Sequence, residues 1–243
     1  MEDRVLPLPL SLFLAILPCF LWLVFYLKKD NRPEPKTMVI KVFFFGALIT
    51  LPLAAIEGIV LLLIENLEII PFWKNFLLAF FVFSLIEEVG KFIVLKKAVF
   101  SSPEFDEPVD AMVYSVIVAL GFASVENFFY LSPISSYDKS LVFQAFLLRS
   151  LGATFFHTLA SATLGFFIGL SFFYKRRSIF AAIALTSAIL LHGIYDFFII
   201  NFEESLVAFW GPFIILFVFG ILVSLGFNFL KEKSKNKKYV KLS

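Results

Sequence analysis

Ionisable side chains inside long apolar segments are the residues of this chain that could carry chemistry. Glu87 and Glu88 are adjacent, and Lys91 follows at helical spacing, so it can neutralise one of the two carboxylates. His192 and Asp196 are four residues apart and share one helix face. Since a charge at the bilayer centre costs about 2.5–3.5 kcal/mol on insertion scales, we expect these residues to converge on a polar, functional cavity.

Further polar residues lie at a similar depth. We place Glu126 and His157 roughly 21–25 Å above the cytoplasmic ends of their segments, at 1.5 Å per residue, close to the level of His192. Asn127 and Arg149 are interpreted as supporting residues that pair with neighbouring groups. Glu57 is expected only to snorkel, because it stands near the outer end of its segment.

The elements that must position these residues are transmembrane helices. The chain has 243 residues, of which 60% are hydrophobic and 16% charged, and its mean hydropathy is +0.92. Soluble domains contain about 45–50% apolar and about 25% charged residues, so a soluble or disordered chain is excluded. The net charge of +2 does not favour a nucleic-acid partner. The single cysteine, Cys19, excludes an internal disulfide and a cysteine-based zinc site.

The sequence predicts an all-α, polytopic helix bundle that belongs in the cell membrane as a multi-pass protein. About 20 apolar residues are needed for a helix to cross the bilayer. Seven stretches meet this condition: Leu6–Leu27, Met38–Ile64, Phe76–Leu95, Val109–Leu131, Leu141–Tyr174, Ile179–Ile200 and Leu206–Leu230. The fifth is too long for one straight span, so it is expected to tilt or to begin with a surface segment near Leu141–Leu147.

Basic residues predict the orientation of these helices. With the N-terminus outside, 17 of the 21 lysines and arginines fall on the cytoplasmic side, as the positive-inside rule requires. We therefore expect the first helix to be retained, with the N-terminus outside and the C-terminus in the cytoplasm. The chain is expected to form one domain, 1–243, with its catalytic core at about 76–198 and a basic cytoplasmic tail at 231–243.

The common catalytic motifs are absent from the sequence, so glutamate and histidine are the candidate catalytic groups. His-Glu-x-x-His, Gly-x-Ser-x-Gly and a phosphate-binding glycine loop are absent from the sequence. Tyr195-Asp196 echoes an aspartyl intramembrane protease motif, but no second intramembrane aspartate accompanies it. Glutamate can take a proton from water and imidazole can stabilise an oxyanion, which suits amide hydrolysis. The alternatives are a proton-coupled transporter that uses the same Glu, His and Asp residues as a relay, and a scaffold whose polar layer fixes helix register.

Four ordered motifs resemble those of the PrsW-type intramembrane proteases, which are related to the CAAX-processing and bacteriocin-processing membrane proteases. Glu87-Glu88-Val89-Gly90-Lys91 resembles their EExxK motif, and Gly121–Asn127 their FxxxEN motif. His157 followed by Gly165 fits the third motif, and His192–Asp196 fits HxxxD. The resemblance implies an endopeptidase that cuts a membrane-anchored protein, such as an anti-sigma factor, within the lipid bilayer.

The resemblance also implies roles for the residues. Glu87 would be the general base, and Glu88 a supporting acid held by Lys91. Glu126 and His157 would position water or a metal, and His192, oriented by Asp196, would stabilise the oxyanion. In a zinc-dependent version, the ligands would come from Glu126, His157, His192 and Asp196, which form an acceptable nitrogen and oxygen donor set.

Overall fold

The computed structural model describes residues 7–65, 67–134, 139–174, 176–201, 206–236 and 238–239. Every regular element in these ranges is a helix, which confirms the all-α prediction. The α-helices are α1 (Leu8–Leu27), α2 (Lys36–Glu65), α3 (Pro71–Leu77), α4 (Leu85–Ala98), α5 (Asp110–Ile134), α6 (Lys139–Leu148), α7 (Thr154–Leu170), α8 (Arg177–Asn201) and α9 (Leu206–Asn236). Residues 1–6 and 240–243, which include the end of the basic tail, lie outside the described residues.

Among the described residues, six helices are long and apolar enough to cross a membrane, and one further helical run is interrupted. The predicted third span corresponds to α3 and α4, which a π-helical segment, Leu78–Ser84, joins into one helical run. A π-helical segment inserts residues into the α-helical repeat and changes the direction in which the following side chains point. The segment ends directly before the turn that carries Glu87 and Glu88.

A second π-helical segment interrupts the long fifth span. Residues Arg149–Ala153 form this segment between α6 and α7, and a short 3₁₀ turn, Ser171–Phe173, ends the run. The polypeptide is helical throughout 139–173, so the stretch near Leu141–Leu147 continues directly into the span. The first part of this helical run exposes large apolar side chains, among them Phe143, Leu148 and Leu151.

Helix α5 is the centre of the bundle. All residues from Asp110 to Ser124 are buried, as expected for a helix that is apolar on every side. It packs against α1, α2 and α7, while α8 packs against α7 and the first π-helical segment. The approach of α5 to α2 depends on glycine, because a Cβ atom on Gly121 would lie 2.0 Å from the carbonyl oxygen of Phe43. The central helix therefore brings Glu126 into contact with several neighbours at once.

Two connections and the end of α9 lie on one face of the bundle. The guanidinium group of Arg32, between α1 and α2, pairs with Glu107, between α4 and α5. Lys231, near the end of α9, donates to the side-chain oxygen of Asn31 at 3.3 Å. These contacts gather regions that the positive-inside rule assigns to the cytoplasm. The assignment of this face to the cytoplasm remains a prediction.

Candidate active site

The glutamate pair of α4 is buried and shares one lysine. The ammonium group of Lys91 donates to Glu87 Oε2 at 3.0 Å and to Glu88 Oε1 at 2.8 Å. Glu88 is completely buried, and Glu87 and Lys91 are nearly so. The preceding π-helical segment is attached to α8 by the hydroxyl of Ser84, which donates to the carbonyl of Ile189 at 2.6 Å. This anchor fixes how the glutamates face α8.

His192 of α8 lies between three carboxylates. Its Nδ1 is 2.9 Å from Glu88 Oε1, and its Nε2 is 3.3 Å from Asp196 Oδ2 and 4.0 Å from Glu87 Oε2. Asp196 lies one helical turn further along α8, as the spacing predicts. The shorter contact is the one to Glu88, so both Glu88 and Asp196 set the orientation of the ring.

The contacts of His157 on α7 define its tautomer. Lys91 Nζ is 3.1 Å from His157 Nδ1, and Glu126 Oε2 is 2.7 Å from Nε2. Because an ammonium group can only donate, Nδ1 accepts, and Nε2 must carry the proton that is donated to Glu126. Lys91 thus links the glutamate pair of α4 to Glu126 of α5 through the imidazole of His157.

Arg149, in the second π-helical segment, holds the motif of α5. Its terminal nitrogen donates to Glu126 Oε2 at 2.7 Å, and its Nε donates to Asn127 Oδ1 at 2.8 Å. The amide of Asn127 donates in turn to the carbonyl of Ala15 and to the hydroxyl of Thr154. This buried asparagine therefore joins α1, α5 and α7 at the level of the site.

A cavity of about 300 Å³ opens between these groups. Its lining combines acids, imidazoles and one guanidinium group with apolar side chains: Glu57, Phe83, Glu87, Glu126, Arg149, Ala153, Phe156, His157, His192, Tyr195, Asp196, Ile199 and Ile200. Glu88 and Lys91 are not part of this lining, so they lie behind Glu87. The ring of Phe156 stacks on that of Tyr195, with centroids 3.9 Å apart. Together these side chains form a small polar chamber with apolar walls.

All nine residues predicted from the sequence belong to this one network of contacts. Two polar residues of the cavity lining, Glu57 and Tyr195, were not predicted as site residues. Glu57 lines the cavity, and its Oε1 is buried without a hydrogen-bond partner, so the expectation that it only snorkels is wrong. Tyr195 was considered only for the motif it forms with Asp196. A lone acid about two helical turns inside a predicted span was the sequence signal that could have identified Glu57.

The donor set has the chemistry of a metal site. Glu87, Glu88, His157 and His192 each offer one ligand atom, and these atoms lie within 4.8 Å of one another. Two imidazoles and two carboxylates suit zinc. The group differs from the zinc ligands considered from the sequence, because Glu87 and Glu88 take the places of Glu126 and Asp196. The ammonium group of Lys91 contacts three of these four residues, all except His192. A bound ion would therefore share those three side chains with Lys91.

The comparisons of this chain with a family model and with individual relatives all identify the same protein family. Residues 34–227 match the family described as "PrsW family intramembrane metalloprotease". The chain is 33% identical to Protease PrsW of Geobacillus kaustophilus over 198 residues, which cover 81% of this chain and 80% of the relative. It is 34% identical to Protease PrsW of Bacillus subtilis over 200 residues, which cover 81% and 85% of the two chains. No solved structure matches.

Proposed function

Because this chain belongs to the PrsW family of intramembrane metalloproteases, we propose that its glutamate–histidine network hydrolyses a peptide bond of a membrane-anchored protein. The chain is a multi-pass membrane endopeptidase. The proposal concerns the part that each buried residue takes in catalysis and the class of substrate. Its main support is the cavity, which places Glu87, Glu126 and both imidazoles around one polar space.

Glu87 acts as the general base. It borders the cavity, whereas Glu88 lies behind it, so Glu87 is the glutamate that can reach a water molecule beside the substrate. Its carboxylate takes a proton from that water as the oxygen attacks the carbonyl carbon. The same carboxyl group then gives the proton to the leaving amine as the peptide bond breaks. Lys91, which donates to Glu87 Oε2, fixes the side chain during both transfers.

Glu88 is a positioning residue for His192. It accepts from Nδ1 at 2.9 Å, which leaves Nε2 close to Asp196 and to Glu87. A protonated Nε2 can donate to the oxyanion that forms when water attacks the carbonyl. Asp196, one helical turn away, fixes the ring for this role.

Glu126 and His157 position the water. Arg149 and His157 both contact Glu126 Oε2, so the carboxylate is held from two sides. We assign Asn127 a positioning role, because it holds the guanidinium group of Arg149 and the backbone of α1.

The residues that would hold a metal ion are Glu87, Glu88, His157 and His192. A zinc ion bound there would polarise the attacking water and the substrate carbonyl. A nitrogen of His192 that held the ion could not also donate to the oxyanion, so a bound ion would stabilise the oxyanion in its place, while Glu88 would keep the ring oriented. Zinc is proposed as the cofactor on the chemistry of these donors and on the description of the family.

The substrate proposed is a membrane-anchored protein such as an anti-sigma factor. The cavity borders residues close to the outer ends of α2 and α8, among them Glu57 and Ile200. With the predicted orientation, these ends face away from the cytoplasm. A segment near the outer surface of the bilayer is therefore the part of a substrate that this site can receive.

The test is cleavage of a membrane-anchored peptide by the purified protein in liposomes. Replacement of Glu87 by glutamine keeps the size of the side chain and removes the base, so we expect at least a 100-fold loss of kcat, in the range of general-base catalysis. Glu65→Gln, at the exposed end of α2, is the matched control and should retain full activity. Unchanged cleavage by Glu87→Gln would remove Glu87 from the mechanism.

A proton-coupled transporter gains no support from the comparisons, since the relatives are named as proteases. The same liposomes can test it directly with an internal pH-sensitive dye. Substrate cleavage without any proton flux that depends on Glu87 is the expected result.

A further inference from the structure

A second group of acids lies at the opposite end of α5 from Glu126. Asp30 follows α1, Glu34 precedes α2, and Asp110 is the first residue of α5. Each of the three offers one oxygen, and these oxygens lie within 4.8 Å of one another. Asp110 and Glu126 are 16 residues apart on one helix, or about 24 Å at 1.5 Å per residue. The acids therefore form a separate cluster, on the face predicted to be cytoplasmic.

The cluster is built from residues with defined hydrogen bonds. Asp110 Oδ2 accepts from the backbone N–H groups of Asp106 and Glu107, at 2.9 and 2.6 Å. The hydroxyl of Tyr114 donates to Glu34 Oε2. These contacts fix two of the three carboxylates where the connection before α2 meets the start of α5.

Asp30 supplies an unsatisfied buried oxygen. The residue is only 8% exposed, and its Oδ1 accepts from the backbone N–H of Arg32 at 2.9 Å. Its Oδ2 is buried and has no hydrogen-bond partner. A buried acceptor without a partner normally costs about 1–3 kcal/mol, and more when it is charged. This oxygen can therefore accept a further donor or a cation within the cluster.

The basic side chains whose charges act on Asp30, those of Arg32 and Lys231, make their direct contacts with other residues. Arg32 is paired with Glu107, and Lys231 donates to Asn31. In the part of the chain that the structure describes, no lysine or arginine lies within ion-pair distance of Asp30, Glu34 or Asp110.

We propose that Asp30, Glu34 and Asp110 bind one hard divalent cation, Mg²⁺ or Ca²⁺. Carboxylate oxygens are the ligands that both ions prefer. Two oxygens on opposite sides of a calcium ion are about 4.6–5.2 Å apart, twice the usual Ca–O distance, so the three carboxylates already have a suitable spacing. The ion attaches the α1–α2 connection to the first turn of the central helix.

Terbium luminescence tests the site in the full-length protein in detergent. Tb³⁺ replaces Ca²⁺ in oxygen sites, and Tyr114, bonded to Glu34, lies where its ring can transfer excitation to a bound ion. We expect a saturable signal that Ca²⁺ or Mg²⁺ displaces. Asp30→Asn and Glu34→Gln keep the shapes of the side chains and should each weaken binding at least tenfold. Glu104→Gln, which removes an exposed acid from the same loop region, should bind like the unaltered protein.

Two further measurements separate this site from the active site and from misfolding. Glu87→Gln should retain the luminescence, because the active site is about 24 Å away. Ca²⁺ or Mg²⁺ should raise the melting temperature of the unaltered protein but not that of Asp30→Asn. The proposal is overturned if no saturable signal is found, if the variants bind as tightly as the unaltered protein, or if only Glu87→Gln abolishes the signal. In those cases the acids are held by shared protons alone.

Discussion

At the scale of single residues, the charge balance of the cavity demands an additional positive species. Five carboxyl groups line or back the cavity, and two permanently cationic side chains accompany them. The acids are Glu57, Glu87, Glu88, Glu126 and Asp196, and the cations are Lys91 and Arg149. The three remaining negative charges need protons, on carboxyl groups or on the two imidazoles, or a bound cation. A divalent ion would balance two of the three and leave one charge for the catalytic base.

We therefore expect the purified protein to contain about one zinc ion per chain at the catalytic cluster. Treatment with a chelator should lower the zinc content and the cleavage rate together, by at least tenfold, and added Zn²⁺ should restore both. His192→Ala should lack the ion, because it removes one of the four donors. The measurement is elemental analysis by mass spectrometry. Full activity in protein shown to be free of metal would contradict the assignment.

Arg149 provides a second test at this scale. Its two nitrogens hold Glu126 and Asn127 together, so Arg149→Met leaves the Glu126 carboxylate with no cation beside it. We expect a loss of about 1–3 kcal/mol in the free energy of unfolding, together with a large loss of activity. Thermal unfolding in detergent measures the first effect.

The double variant Arg149→Met, Glu126→Gln separates stability from catalysis. With the charge of Glu126 removed, most of the lost stability should return, but the enzyme should stay inactive because the water-positioning carboxylate is gone. Arg149→Lys is the conservative control, since an ammonium group can keep the charge but cannot bind both partners as a guanidinium group does. An Arg149→Met protein as stable as the unaltered one would show that the pair is dispensable for folding.

At the scale of the elements, close helix packing brings the four motifs together. His157 reaches Glu126 only because α7 lies directly against α5. A Cβ atom added to Gly165 would lie 2.4 Å from the carbonyl oxygen of Ala111, a backbone atom that cannot move aside. Small residues at such crossings allow backbones to approach closely within a membrane. We therefore expect Gly165 to affect catalysis through helix packing, although it does not line the cavity.

Gly165→Ala should destabilise the fold and weaken the contact between His157 and Glu126, with a lower melting temperature and reduced cleavage. Gly58 is the matched control, because a Cβ atom added there meets no other atom within 4 Å. Gly58→Ala should leave stability unchanged or raise it by about 0.4–1 kcal/mol, since alanine is favoured over glycine in a helix. Equal stability of the two variants would mean that α7 can move away from α5 without loss.

At the scale of the whole molecule, sequence reasoning recovered the spans, and the site residues it proposed lie in one network of contacts, for a physical reason. Intramembrane charges are costly, so residues such as Glu126 and His192 stand out against an apolar background. The two π-helical segments have no comparable signal, because π-helical geometry depends on tertiary packing and not on composition. The prediction for Glu57 was wrong because it used only the depth of the residue in its span. The direction in which the side chain points depends on how α2 packs. The contact between His192 and Glu88 likewise could not be predicted from sequence spacing, because the two residues are 104 positions apart.

The size of the cavity limits the form in which a substrate can enter. A space of about 300 Å³ is smaller than one turn of an α-helix with its side chains, which is about 5.4 Å long and 10–12 Å wide and so fills about 400–600 Å³. We therefore expect the segment around the scissile bond to unwind before it reaches Glu87. The free energy of this unwinding becomes part of the barrier to cleavage.

Residues that weaken helices should accordingly speed cleavage when they lie next to the scissile bond. Glycine disfavours a helix by about 1 kcal/mol relative to alanine, so each Ala→Gly change there should raise kcat/KM about fivefold if unwinding limits the rate. The same change ten residues away in the same substrate is the control and should have no effect. Rates that do not respond to helix propensity near the bond would show instead that the enzyme widens to admit a folded helix, by separating α2 from α8 at the outer end of the cavity.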